Sequence, residues 1–163
     1  MSSIALDQVD RRILDALQGD AAMSNQDLAE RVHTSSATCL RRVKRLLDSG
    51  VIERRIAIVA PERTGSGLLR GLTAIIEITL DRQGAELQAA FEERAIGDPE
   101  VQQCYRVTPG PDFVLIAYIR DTDAYQALAE RLFNAEANVR NVRTYFSVKR
   151  GKFEPRVPVL DSP

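Results

Sequence analysis

Between Ser24 and Arg55 two short stretches with helical apolar spacing are joined by His33-Thr34, and the second carries a run of cations. That pattern predicts a helix-turn-helix followed by a wing, and it makes double-stranded DNA the first partner to consider. Upstream, Leu6, Val9, Ile13, Leu14 and Leu17 recur at helical spacing, and Asp7 is placed to cap a first helix that ends at Gly19-Asp20. Ser24 with Asp27 forms a capping-box-like start for a second helix, whose inward stripe is Leu28, Ala29 and Val32. Ser35 caps a third helix that runs to Ser49 and stops at Gly50.

Projected at about 100° per residue, the third helix places Ser36, Cys39, Leu40, Val43, Leu46 and Leu47 on an inward side. Thr38, Arg41, Arg42 and Arg45 fall on the opposite side, free to enter a major groove. The formal net charge of the 163 residues is −1, yet it is unevenly placed. Residues 1–30 carry two arginines against six acids, whereas residues 31–55 carry seven cations against Asp48 and Glu53. A helix that merely solvates itself intersperses signs to gain pairs one turn apart, and here only Asp48 follows the arginines. Val51 to Val59 reads as a β-hairpin or extended wing, from which Arg54 and Arg55 would reach phosphates beside the groove. The expected DNA contacts are therefore Ser35, Ser36, Thr38, Arg41, Arg42, Arg45, Arg54 and Arg55.

Composition sets the outer limits. With 44% apolar and 28% charged residues the chain is an ordinary globular sequence of one large or two small domains. Its longest mostly apolar run, Leu72 to Leu80, is far shorter than the roughly 20 residues of a spanning helix, so no membrane partner is expected. No basic segment followed by an apolar core opens the sequence, and a cytoplasmic location is expected. Cys39 and Cys104 have no metal-type or redox spacing and are expected to be reduced and buried. One histidine, His33, cannot assemble a metal site and falls in the turn between helices, where a surface or capping role is expected. Neither a metal nor a cofactor is expected.

Pro61 to Gly71, with Gly65-Ser66-Gly67, reads as a linker. Beyond it the order is strand, helix, strand, strand, helix, strand. The strands are expected at Leu72–Leu80, Val101–Thr108, Phe113–Ile119 and Val139–Lys149, and the helices at Gly84–Ile96 and Thr122–Asn134. In the first of these helices Leu87, Ala90, Phe91 and Arg94 share a side; in the second Tyr125, Leu128, Ala129, Leu132 and Phe133 are in register. This is the ferredoxin-like βαββαβ order. The fold class is thus α+β, with a winged helix-turn-helix over 1–60, a linker over 61–71, a ferredoxin-like domain over 72–150 and a loosely held tail over 151–163. Such a sheet carries both helices on one face. The other face would be polar in a lone domain, yet Phe113 to Ile119 is apolar on both alternations and Ile75 joins the apolar residues of the first strand. At about 25 cal/mol per Å² of apolar surface, leaving that face wet is unfavourable by several kcal/mol, so self-association through the sheet, as a homodimer, is expected. Two heads related by a twofold axis would read half-sites about one helical turn apart.

From Leu6 to Lys149 the chain resembles the Lrp/AsnC, or feast/famine, transcription regulators. The resemblance rests on Leu6-Asp7-Gln8-Val9-Asp10-Arg11-Arg12-Ile13-Leu14, on Ser24-Asn25-Gln26-Asp27-Leu28-Ala29 and on Cys39-Leu40-Arg41-Arg42-Val43-Lys44-Arg45-Leu46. Gly50-Val51-Ile52 and Val101-Gln102-Gln103-Cys104-Tyr105-Arg106-Val107-Thr108 add to it. It implies a ligand-sensing βαββαβ domain, often called RAM, and dimers that commonly assemble into octamers and respond to amino acids. It also implies an effector pocket between sensing domains, carried here by Val107, Thr108, Pro109, Gly110 and Asp112 of the turn joining the second and third strands, and by Thr144 and Phe146 of the fourth. Asp112 would accept from an ammonium group, while the Thr108 and Thr144 hydroxyls and the Gly110 amide would donate to a carboxylate. Pro109-Gly110 also fits an ordinary type II turn that Asp112 merely caps.

The leading expectation is a sequence-specific, DNA-binding transcriptional regulator gated by a small molecule, an amino acid by resemblance. The alternative is a nucleoid-associated protein that compacts DNA with little sequence preference. Enzymatic function is not expected, because the sequence shows no nucleophile beside a base, no metal spacing and no phosphate-binding loop.

Overall fold

The computed structural model describes residues 4–63, 71–134 and 138–159. It forms two compact units, one reaching to Val59 and including the segment from Phe153, the other running from Ala60 to Lys152.

Three helices build the first unit: α1 (Gln8–Gly19), α2 (Asn25–Arg31) and α3 (Ser36–Asp48). Each starts on a side-chain cap. Asp7 and Asp10 form a reciprocal capping box on α1, with Asp10 N donating to Asp7 Oδ1 at 2.9 Å and Asp7 N donating to Asp10 Oδ2 at 3.1 Å. Ser24 Oγ accepts from Asp27 N, and Ser35 Oγ accepts from Thr38 N. α2 ends in a Schellman turn: Thr34 N donates to Ala29 O at 2.9 Å and His33 N to Glu30 O at 3.2 Å. His33 occupies the left-handed position of that turn, with φ of 57°, so the lone histidine serves the backbone and remains exposed. Gly50, with φ of 74°, fills the equivalent position after α3.

The core of this unit is Ile13, Leu14, Ala16, Leu17, Leu28, Ala29, Val32, Cys39, Val43 and Leu46. α3 contributes only three of these, a narrower stripe than its sequence suggests: Leu40 is 61% and Leu47 38% exposed, and Ser36 also faces out. Two short helices cover less than the full apolar arc of a third. Of the two forms expected over Val51–Val59, a β-hairpin or an extended wing, the hairpin does not form: after a bend at Val51-Ile52 the described chain to Ala60 has no regular secondary structure. No glycine or Asn-Gly turn lies within those nine residues to fold them back on themselves. Nor is the described part of the terminal segment, to Val159, loose. Gln18 Nε2 donates to Val157 O at 2.9 Å, Val157 N donates to Gln18 Oε1 at 2.7 Å, Arg156 pairs with Asp15, and Val159 packs on the core. The Gln18 side-chain amide thus exchanges both its hydrogen bonds with the Val157 backbone, between Pro155 and Pro158.

The second unit opens with a 3₁₀ turn at Pro61–Arg63; the rest of the expected linker, 64–70, lies outside the described residues. Its elements are β1 (Leu72–Leu80), α4 (Ala85–Gly97), β2 (Val101–Arg106), β3 (Phe113–Ile119), α5 (Thr122–Ala129) and β4 (Val139–Phe146). α5 widens into a π-helical turn at Glu130–Asn134, continuing the expected helix. The antiparallel sheet has the order β2-β3-β1-β4, with Ile76 opposite both Leu115 and Thr144. Ala74, Ile76, Ile78 and Leu80 join Phe113, Leu115, Ala117 and Ile119 on the helix-covered face, packed against Phe91, Ala95, Leu128, Leu132 and Phe133. Ala90 and Arg94 face outward, because α4 turns Phe91 and Ala95 to the sheet instead. Opposite the helices, Ile75 is 38%, Tyr105 52% and Tyr145 49% exposed, around half-buried Val114, Ile116 and Tyr118. The second sheet face is therefore as apolar as its alternation predicts.

Candidate nucleic-acid interface and ligand-contact residues

The cations of α3 divide into two sets. Asp10 of α1 is fully buried, yet both its carboxylate oxygens are engaged. Arg42 Nη1 donates to Asp10 Oδ1 at 2.9 Å and to Asp7 Oδ2 at 2.7 Å, and Arg45 Nη2 donates to Asp10 Oδ2. Arg42 Nε is buried without a hydrogen-bond partner among the described residues. A buried carboxylate requires such pairing, since leaving it unpaired costs several kcal/mol. The backbone N–H of Asp10, and next the Arg42 guanidinium, hold the Asp7 carboxyl down at about 2. Asp7 and Asp10 in turn hold Arg42 more firmly charged. These bonds bolt α3 to α1.

Arg41 and Lys44 form the second set. Both are exposed and carry no ion pair or hydrogen bond among the described residues, and with exposed Ser36, Ala37 and Leu40 they form the outer face of α3. Of the remaining expected DNA contacts, Ser35 is spent on its cap, with Oγ accepting from Thr38 N and donating to Thr38 Oγ1 at 2.9 Å. Thr38 is half-buried there, and the Ser36 carbonyl accepts from Asn25 Nδ2. Arg54 and Arg55 are exposed on the irregular segment after α3. Lys44 and Leu40 are outer-face residues that the sequence reading did not select. For Lys44 the signal was available in the cation count, whereas Leu40 was assigned inward by periodicity.

In the sensing unit the expected effector residues fall into two groups on opposite sides of β1. The turn from Val107 to Phe113 is fastened to the end of β1: Val107 N donates to Asp112 O, Asp112 N to Ile78 O, and Leu80 N to Asp112 Oδ2 at 2.8 Å. Asp112 is only 7% exposed, so its carboxylate already ties down a strand end. Thr108-Pro109 is cis and Gly110 has φ of 127°. Thr144 and Phe146 lie across β1 on the edge strand β4, two strand spacings or about 10 Å from the β3 side. There Tyr125 of α5 joins them, its hydroxyl 2.6 Å from Thr144 Oγ1 and its ring edge-on to Phe146 at 5.2 Å. A single chain does not bring the two groups together. Tyr125 was legible only as core, although a partly buried phenol always has a partner to find.

Burial raises the thiols of Cys39 and Cys104, the latter also beside Glu92, so both are protonated at neutral pH. In the first unit an open groove of about 1010 Å³ runs beside α1, lined by Leu14, Leu17, Ile52, Ile56, Ile58 and Phe153 among others; none of the expected effector residues lines it. No helix among the described residues is long and apolar enough to cross a membrane.

Comparison with known proteins matches this geometry. Residues 6–53 fit the winged helix-turn-helix DNA-binding model and residues 73–157 the Lrp/AsnC ligand binding domain. An HTH-type transcriptional regulator of Haemophilus influenzae is 36% identical over 86% of this chain and 82% of its own length. The leucine-responsive regulatory protein of Escherichia coli is 32% identical over 94% of this chain and 92% of its own. Among solved structures, a Neisseria meningitidis transcriptional regulator in complex with L-Met superimposes with a TM-score of 0.78 at 29% identity, covering 95% of this chain and 97% of that one. A three-helix head with a cationic outer helix face and a βαββαβ unit of this strand order, matched by both domain models, place the chain in the Lrp/AsnC family of DNA-binding transcriptional regulators.

Proposed function

We propose that this chain is a cytoplasmic, sequence-specific transcriptional regulator that reads DNA with the outer face of α3 and responds to a small molecule, an amino acid. The observation that carries the reading is the division of labour on α3. Arg42 and Arg45 are taken up by Asp10, while Arg41 and Lys44 stand exposed and unopposed by acids. Arg41 is the base-reading candidate, through a bidentate guanine contact, and Lys44, Arg54 and Arg55 supply phosphate contacts. Arg45, half exposed, keeps donors free for a phosphate as well.

An amino-acid effector is supported by two relatives: a leucine-responsive regulatory protein matches over nearly the whole chain, and a structural neighbour was solved with L-Met. Because the turn at Val107–Asp112 and the Tyr125-Thr144-Phe146 cluster lie on opposite sides of β1, an effector touching both sets would bind between two chains. The apolar open sheet face supports the homodimer that such a site needs, and larger assemblies of dimers follow the same logic. Effector binding would then shift the assembly or spacing of the heads, and operator affinity with it.

Selection of bound duplexes from a randomised pool, followed by competition binding at fixed salt, tests the reading. A strong preference over random DNA is expected, and Arg41→Ala should cost about 1–3 kcal/mol at one base pair. Equal affinity for all duplexes would instead favour non-selective compaction.

A further inference from the structure

We propose that Leu40 is a specificity-determining residue that reads a thymine methyl group in the major groove. The proposal rests on α3 being the reading helix. A single exposed leucine means little by itself. Leu40, however, is 61% exposed on the same helix face as Arg41 and Lys44. Its neighbours one turn away are Ser36, Ala37, Val43 and Lys44, and none of them is acidic. Ala37, one turn toward the N-terminus, is exposed and carries only a methyl group. The outer face is therefore an apolar centre with cations beside it, which suits a polyanion carrying a local apolar group. Among base edges in the major groove that group is the C5 methyl of thymine. Lys44 is placed to hold the helix against the phosphates and Arg41 to read its guanine, while Leu40 buries the methyl. Burial of one methyl group corresponds to about a fourfold change in affinity.

Deoxyuridine differs from thymidine only by that methyl, so a substitution scan isolates the contact. Using the full-length chain and a duplex obtained by selection, each thymine of the preferred site is replaced by uracil in turn. The expected result is a loss of about fourfold at one position of each half-site for the native chain. Leu40→Ala should bind the thymine duplex more weakly by a similar factor and be indifferent to uracil at that position, keeping every other preference. Leu40→Met, which retains an apolar tip, should keep most of the uracil penalty. Because the side chain is exposed, an unchanged thermal midpoint in both variants is expected. A flat uracil profile with a selective native chain, or a profile unaltered in Leu40→Ala, overturns the assignment while leaving the regulator reading intact. So does a Leu40→Ala chain that changes oligomeric state with no change in base preference. A native chain with no sequence preference removes the parent reading and this one together.

Discussion

The candidate DNA-reading face and the candidate ligand-contact residues are built on opposite plans. On α3 every candidate base contact lies within about two turns of one helix, which α1 holds in place through Asp10. In the sensing unit the candidate contacts are split between a turn tied to the end of β1 and an edge strand on its other side. The difference teaches that the candidate base contacts lie together on one helix, whereas the candidate ligand contacts fall into two separate groups within one chain. Each group is stabilised internally by its own hydrogen bond, Asp112 to Leu80 in one and Tyr125 to Thr144 in the other.

The strongest challenge to the first half of this contrast is Asp10→Ala. It removes a fully buried carboxylate that two guanidinium groups and a capping box share, and should destabilise the first unit by about 3 kcal/mol. Denaturant unfolding followed by hydrogen exchange should place the loss in the helices and leave the sheet protected. An unfolding midpoint equal to that of the native chain would mean that α3 is not held by this clamp. A smaller effect sharpens the second half. Tyr125→Phe deletes the hydroxyl that meets Thr144 and should cost the sensing unit about 1 kcal/mol while leaving duplex affinity without effector unchanged. Thermal melts and operator titration separate the two; a change in effector-free DNA binding would show that the two plans are not independent.

The smallest effect is expected from Asp7, the exposed end of the clamp. Its carboxyl is lowered from the ordinary 3.8 to about 2, chiefly by the Asp10 N–H and then by Arg42. A depressed carboxyl contributes stability that is fully present above its unfolded value and fades as pH falls through its folded one. The native chain should therefore lose stability between about pH 4 and pH 2. Asp7→Asn should show a shallower fall in that window, read from thermal midpoints against pH. Parallel curves for the two chains would remove the Arg42-Asp7 bond from the account.

Much of the head was legible because its signals are local. Asp7, Ser24 and Ser35 cap helices within three residues, and Gly50 ends one with a single positive φ. The βαββαβ order was equally legible, since the alternation along Leu72–Leu80 and the unbroken apolar run Phe113–Ile119 need no knowledge of distant partners. Which of its two expected forms the wing takes was not, because apolar residues such as Ile56 and Ile58 carry strand propensity without supplying a backbone partner. The described part of the terminal segment differs for the converse reason: its prolines suggest a loose chain, yet Gln18 offers its amide to the backbone at Val157. At the candidate sites, residue type marked out α3 and the turn after β2, while the state of each side chain was hidden. Arg41 and Arg42 are adjacent and identical in kind, yet one is exposed and the other is bonded to two aspartates.

By itself the sequence determined the helices, the strands, their order and the concentration of cations on one short helix. Periodicity, capping and turn chemistry act over a few residues and are written into the chain directly. Only the tertiary structure decided which cations remain available. The pairing of Arg42 and Arg45 with Asp7 and Asp10 spans 32 to 35 residues and exists only because α1 and α3 cross with a buried carboxylate between them. The same packing left Leu40 uncovered, since two short helices shield only part of a third.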